Sequence, residues 1–233
     1  MTFSWKRSYA IARKDFKDIS KNLYVSPMFI FPPLLAALYS RMGLDSLFGT
    51  YFVFIMAFTM VGTFMQSALI AEEKEKHTLR VLMLSPASAF DIVGGKSLLS
   101  IVMTTVIIIV SAFFLEYHPA NLSVVSLGIL LSIILYVGLG TIMGLLTKSV
   151  VEASIGIMPV MLLFMGLPFL TSFTEKYPFL SIIEFMPHNL LLSIAENSEA
   201  TFVNSIGELV GLLLWSVVIH IVVFMLYKKR LKD

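Results

Sequence analysis

Six runs of about 20 residues with no Asp, Glu, Lys or Arg constrain this chain more than any other feature. A helix rises ~1.5 Å per residue and the hydrocarbon core of a bilayer is ~30 Å thick, so a span needs about 20 apolar residues. The runs cover residues 23–40, 47–71, 97–115, 122–147, 153–174 and 209–227. They are continuous and do not alternate over ~10 residues, which favours helices over a barrel. Charged residues make up 14% of the chain, against roughly 25% in soluble proteins, too few to coat a globule of 233 residues. The expected fold class is all-α: an integral membrane bundle of six transmembrane helices, preceded by an amphipathic interfacial helix over residues 1–22. Residues 23–233 form the transmembrane domain. The three prolines of the first run, Pro27, Pro32 and Pro33, predict a kinked or broken helix whose freed carbonyls neighbouring helices must satisfy. Pro159 and Pro168 interrupt the fifth run, and all five prolines are candidate hinges.

Lysine and arginine orient the spans. The N-terminal arm holds Lys6, Arg7, Arg13, Lys14, Lys17 and Lys21, and the loop after the second span holds Lys74, Lys76, Arg80 and Lys96. Lys148 follows the fourth span, and Lys228, Lys229, Arg230 and Lys232 follow the sixth. With six spans all fifteen fall on one side, leaving Arg41 and Lys176 opposite. That side is expected to be the cytoplasm, with both termini in it, in a multi-pass protein of the cell membrane. A different span count would scatter the charges. The net charge of +2 gives no indication of nucleic-acid binding, and the absence of cysteine excludes disulfides and thiol chemistry.

Three segments outside the spans carry further information. In the N-terminal arm Trp5, Tyr9, Ala12, Phe16, Ile19 and Leu23 recur every three or four residues, lining one helical face. Such a helix is expected in the membrane interface with its basic residues at anionic headgroups, either as a topological anchor or as an elbow that moves with the first span. The loop 72–96 opens with mixed charge, then places Leu79, Leu82 and Met83 at helical spacing before Pro86. Ser88 and Asp91 then stand as a capping box before the third span. A short helix, a break and a new helix start are predicted: an ordinary connector, or a docking surface for a cytoplasmic partner. The acidic outward segment 175–208 has apolar pieces too short to span, expected as interfacial or re-entrant helices around Pro178 and Pro187.

Gly94-Gly95-Lys96-Ser97 imitates the end of a P-loop, but Phe90 stands where the first glycine belongs and no strand precedes it, so no nucleotide site is expected on this chain. His77, His118, His188 and His220 have no metal-ligand spacing. Inside the spans, Gln66 and His220 are candidate intramembrane polar sites, each equally readable as a contact to a neighbouring helix. Gly140 and Gly144 form a GxxxG motif that permits close packing within or between chains. No grouping of catalytic residues suggests a membrane enzyme. An ion-coupled secondary transporter would be expected to show repeats and midplane charges. A non-pumping immunity or partner-binding membrane protein is a further alternative.

From Glu72-Glu73 through Thr78-Leu79, Leu82, Ser85-Pro86 and Ser88 to Gly95-Lys96, the loop resembles the corresponding stretch of ABC-2 type transporter permeases. Gly140, Gly144, Lys148-Ser149 and Pro159 are similar to that family too, and the layout agrees over essentially the whole chain. The resemblance implies a transport subunit that works with cytoplasmic ABC ATPase subunits and a second permease copy or paralogue. ATP and Mg would sit on the ATPase, with no cofactor on this chain. It implies a coupling helix after the second span, with Glu72, Glu73, Thr78, Leu79, Leu82 and Pro86 as its ATPase-contacting residues. The chain carries no large external domain, and the family analogy then suggests export of an amphipathic or hydrophobic substrate such as an antimicrobial peptide, a drug or a lipid-like molecule.

Overall fold

The computed structural model describes residues 5–19, 26–44, 46–76, 89–174, 176–197 and 201–230. Among these, helix dominates and no strand occurs. The α-helices are α1 (Trp5–Ile19), α2 (Ser26–Arg41), α3 (Leu47–Ala57), α4 (Gln66–Glu75), α5 (Ala89–Phe114), α6 (Leu122–Leu146), α7 (Val150–Leu170), α8 (Pro187–Glu196) and α9 (Ile206–Arg230). A π-helical stretch, Phe58–Met65, joins α3 to α4, so that Leu47–Glu75 is a single 29-residue helix. The fold is an all-α bundle of a multi-pass membrane protein.

Among the described residues, five helices are long and apolar enough to cross a bilayer: Leu47–Glu75, Gly94–Phe114 within α5, α6, α7 and Ile206–Lys228 within α9. Their burial separates their roles. The most apolar window of Leu47–Glu75 is 94% buried, whereas the other four are between 22% and 50% buried and present their remaining faces outward. Leu47–Glu75 is therefore a central mast with the other spans packed around it. At ~1.5 Å per residue it is roughly 40 Å long, so one end projects beyond a ~30 Å hydrocarbon core.

The π-helical turns have a visible cause. Thr59 and Thr63 donate their hydroxyls back to the carbonyls of Ile55, Met56 and Phe58, competing with the α-helical ladder. Thr63 also donates to the Tyr136 carbonyl of α6 at 3.0 Å, and Phe58 stacks on the Tyr136 ring. The GxxxG motif serves this contact within the chain. A Cβ on Gly140 would lie 2.3 Å from the Thr63 carbonyl oxygen, and one on Gly144 would lie 2.7 Å from Ile70 Cβ.

The expected break in the first span is not observed. α2 runs unbroken through Pro32 and Pro33, with Pro27 in its first turn, where a missing N–H costs nothing. Its 16 residues rise about 24 Å, short of a full crossing, and residues 23–25 of the expected run lie outside the described residues. The helix closes with Gly43 at φ 65 and a bond from the Leu44 amide to the Tyr39 carbonyl, a glycine-dependent C-terminal cap. α7 likewise continues through Pro159 and tightens into a 3-10 turn, Thr171–Phe173, just past Pro168.

Between α7 and α9, a 3-10 helix (Pro178–Phe185) and α8 meet at 77°. The pair is tied down from within: Leu191 and Ile194 are buried, Gly128 of α6 makes room for Leu191, and Trp215 of α9 donates its indole N–H to the Phe185 carbonyl. The bent pair matches the re-entrant or interfacial arrangement expected around Pro178 and Pro187.

Candidate functional site

The last turn of the mast is where the chain's charges converge. Successive helical residues point about 100° apart, so consecutive side chains reach different neighbours. Glu73 accepts from Lys14 of α1 at 2.5 Å and from Lys96 of α5 at 3.3 Å. Lys74 donates to the carbonyls of Gly144, Leu145 and Thr147 at the C-terminus of α6. There a cation offsets the helix dipole and satisfies orphan acceptors. Glu75 accepts from the Val150 amide at the N-terminus of α7 at 3.0 Å, the complementary dipole contact. Glu72 pairs with Lys76 on its own helix. The end of one helix is thereby tied to α1, α5, α6 and α7.

The innermost part of this hub is an ion cluster. Lys96 is 1% exposed and donates to Asp15 at 2.9 Å, to Glu73 and to the Leu69 carbonyl, which fills all three donors of its ammonium group. Asp15 and Glu73 are also buried. Burial pushes the Asp15 carboxyl above its ordinary value even though the Lys96 charge and hydrogen bond pull the other way. Burial also opposes the charge on Lys14, but the hydrogen bond and charge of Glu73 outweigh it and raise that ammonium. Close approach is possible because position 95 is glycine: a Cβ there would lie 2.7 Å from the Ser8 carbonyl oxygen and 3.0 Å from Ile11 Cβ.

The apolar stripe expected on α1 is divided between the bundle and the exterior. Ser8, Ala12 and Asp15 point inward, while Tyr9 and Phe16 of the stripe are 64% and 48% exposed. Asp15 and Lys96 lie 81 residues apart, and neither Lys14 beside them nor the bonds of Lys74 to the end of α6 were foreseen. The available signals were an acid at helical spacing from the buried positions Ser8 and Ala12, and a lysine directly against an apolar run. Lys96 figured in the sequence reading as a P-loop decoy and as part of the family motif, without a structural role.

Gln66 lies two turns further along the mast and is fully buried. Its amide donates to Ser97 at 3.2 Å and Thr141 at 3.0 Å and accepts from Ser100 at 2.7 Å, joining the mast to α5 and α6. Its polar capacity is spent on neighbouring helices. His220 is not brought near it: the ring sits on α9, exposed, bonded to the Ser216 carbonyl of its own helix and close to Gly138 of α6. Of the candidate ATPase contacts, Glu73 is buried in the ion cluster and Glu72 is half-buried beside Lys76; Thr78, Leu79, Leu82 and Pro86 lie outside the described residues. Of the candidate hinges, Pro32 and Pro168 are buried and Pro27 and Pro159 exposed, and each sits in a continuous helix.

A second feature lies beside the mast. An apolar cleft of about 680 Å³ opens laterally between Leu47–Glu75 and α7, lined by Phe52, Phe64, Met158, Met161, Met165 and Phe169 among others. Its methionines are flexible and polarisable, suited to surfaces of variable shape.

A comparison with curated proteins finds no match. A family model described as "ABC-2 family transporter protein" matches residues 19–227, which takes in the mast and nearly all of every long helix, with Glu73, Lys74, Glu75 and Lys96 of the hub but not Lys14 and Asp15. With the match covering nearly the whole chain, this multi-pass bundle belongs to the ABC-2 transporter family.

Proposed function

We propose that the chain is the permease subunit of an ATP-driven exporter, with its basic end in the cytoplasm and its ATP hydrolysed by a separate ABC ATPase. The observation that carries the reading is the hub. Residues 77–88, the segment expected to dock on the ATPase, directly follow the one helix end that is bonded to α1, α5, α6 and α7. A displacement delivered to that segment enters the bundle at Lys76 and is shared among four helices at once. Helix shifts of this kind are how packed bundles switch. Leu79 and Leu82 act as apolar anchors in the ATPase, and the charges around them fix register.

The cleft between the mast and α7 supports an amphipathic or hydrophobic substrate, because its wall offers apolar contact and almost no polar partner. A second permease copy or a paralogue closes the open side of that cleft. Purification from membranes tests the assignment: an ATPase with a P-loop co-purifies, and Leu79→Asp or Leu82→Asp releases it while the permease stays inserted. An ATPase retained and active in both variants would show that the contact lies elsewhere.

A further inference from the structure

We propose that Lys96 is a positioning residue that clasps α1 to the end of the mast, so that α1 moves with the hub as one body. The inference rests on the coupling reading above and names the part that carries motion to the N-terminal helix.

Three observations lead to it. First, among its described side chains α1 has little apolar attachment to the bundle. Its inward residues are Ser8, Ala12 and Asp15, with Ile11 half-buried, while the large apolar Tyr9 and Phe16 face away. Hydrophobic burial scales with apolar area, and two small side chains and a carboxylate supply little. Second, Lys96 belongs to neither partner. It projects from α5 and its ammonium touches the Asp15 carboxylate of α1 and the Glu73 carboxylate of the mast at once, at 2.9 and 3.3 Å. Third, in the ion pairs of the described residues two carboxylates, Asp15 and Glu73, face Lys96 and the half-exposed Lys14. Neutralising Lys96 leaves two buried acids to share Lys14. Neutralising Lys96 and Asp15 together leaves the Glu73–Lys14 pair intact. Breaking a buried pair from one side is costly, whereas removing both members is close to neutral. A clasp of this kind holds register firmly yet is released by a modest shift of one partner.

The chain has no cysteine, so one introduced thiol reports alone. Ser8 is 1% exposed under α1, and Ser8→Cys nearly preserves its size. Maleimide labelling of Ser8→Cys in membranes is expected to be slow and to accelerate at least about tenfold when Lys96→Met is added. Adding Asp15→Asn to that variant removes the unpaired carboxylate but does not rebuild the clasp, so labelling stays severalfold faster than in the parent. Tyr9→Cys, on the exposed face, labels at one rate in every background and so calibrates reagent access to α1, while size-exclusion of each variant reports that the bundle is folded. If Lys96→Met leaves Ser8→Cys protected, the clasp does not hold α1. If the Asp15→Asn addition restores the parent's rate, the unpaired carboxylate and not the lost clasp had loosened α1. In complex with the co-purified ATPase, a non-hydrolysable ATP analogue changes the parent's labelling rate severalfold. An unchanged rate would reduce the clasp to a static tie. The labelling comparisons need no ATPase, so they stand or fall separately from the coupling assignment.

Discussion

Gly140→Ala is the sharpest probe of the fold, because one methyl group meets an immovable partner. Its Cβ would lie 2.3 Å from the Thr63 carbonyl oxygen and 2.8 Å from Gln66 Cβ. The nearer atom is backbone in the middle of the mast, so rotamer change cannot relieve the contact and α6 must move away. Overpacking of this kind costs about 1–3 kcal/mol. The displacement also stretches the bond from Gln66 to Thr141, one residue along α6, where an interhelical hydrogen bond contributes ~0.6 kcal/mol. The total is about 2–4 kcal/mol, which for a chain of this size lowers Tm by about 4–16 °C. The assay is thermal unfolding of detergent-purified protein followed by size-exclusion, with Gly166→Ala as the control, since nothing lies within 4 Å of a Cβ there. A Gly140→Ala variant that melts with the parent would refute the close contact between α6 and the mast.

Lys74→Met removes the cation from the C-terminus of α6 and should cost about 1–2 kcal/mol, read as faster amide exchange over residues 143–147 with α9 unaffected. Single cysteines at Glu75 and Phe179 should label from opposite sides of sealed vesicles, Glu75 from the cytoplasmic side; labelling from one side would overturn the six-span arrangement. Met161→Trp fills part of the cleft beside the mast and should reduce efflux of an apolar dye severalfold with little change in ATP hydrolysis; unaltered efflux would place the substrate path elsewhere.

The spans were legible in the sequence because bilayer thickness imposes a length on apolar runs that no other constraint imitates. The GxxxG spacing of Gly140 and Gly144 announced close packing, but only the Thr63 carbonyl and Ile70 beside it show that the partner is within the chain. Prolines were read by their local rule, which predicts a break at Pro32 and Pro33; in α2, packed against α3 and α5, the helix continues through them. The π-helical stretch left no mark beyond two threonines, since the competition between hydroxyl and ladder is decided by the neighbouring Tyr136 carbonyl. The hub was half visible. Glu72 and Glu73 stood out as charges at the end of an apolar run, whereas the choice of Lys14 and Lys96 as partners for Glu73 is tertiary and has no local signature. On α1 the spacing shows that the helix has two faces, and charge pairing sets which residues beside Ala12 meet the bundle.

The near-complete burial of Leu47–Glu75 has a consequence for how this chain tolerates change. A perimeter helix such as α9 has a lipid-facing flank on which one greasy side chain can replace another, so acceptable substitutions recur once per turn. Through its most apolar window the mast has almost no such flank. Sequence drift along it is restrained around the full circumference, and divergence among chains of this shape must accumulate in the ring of helices around it.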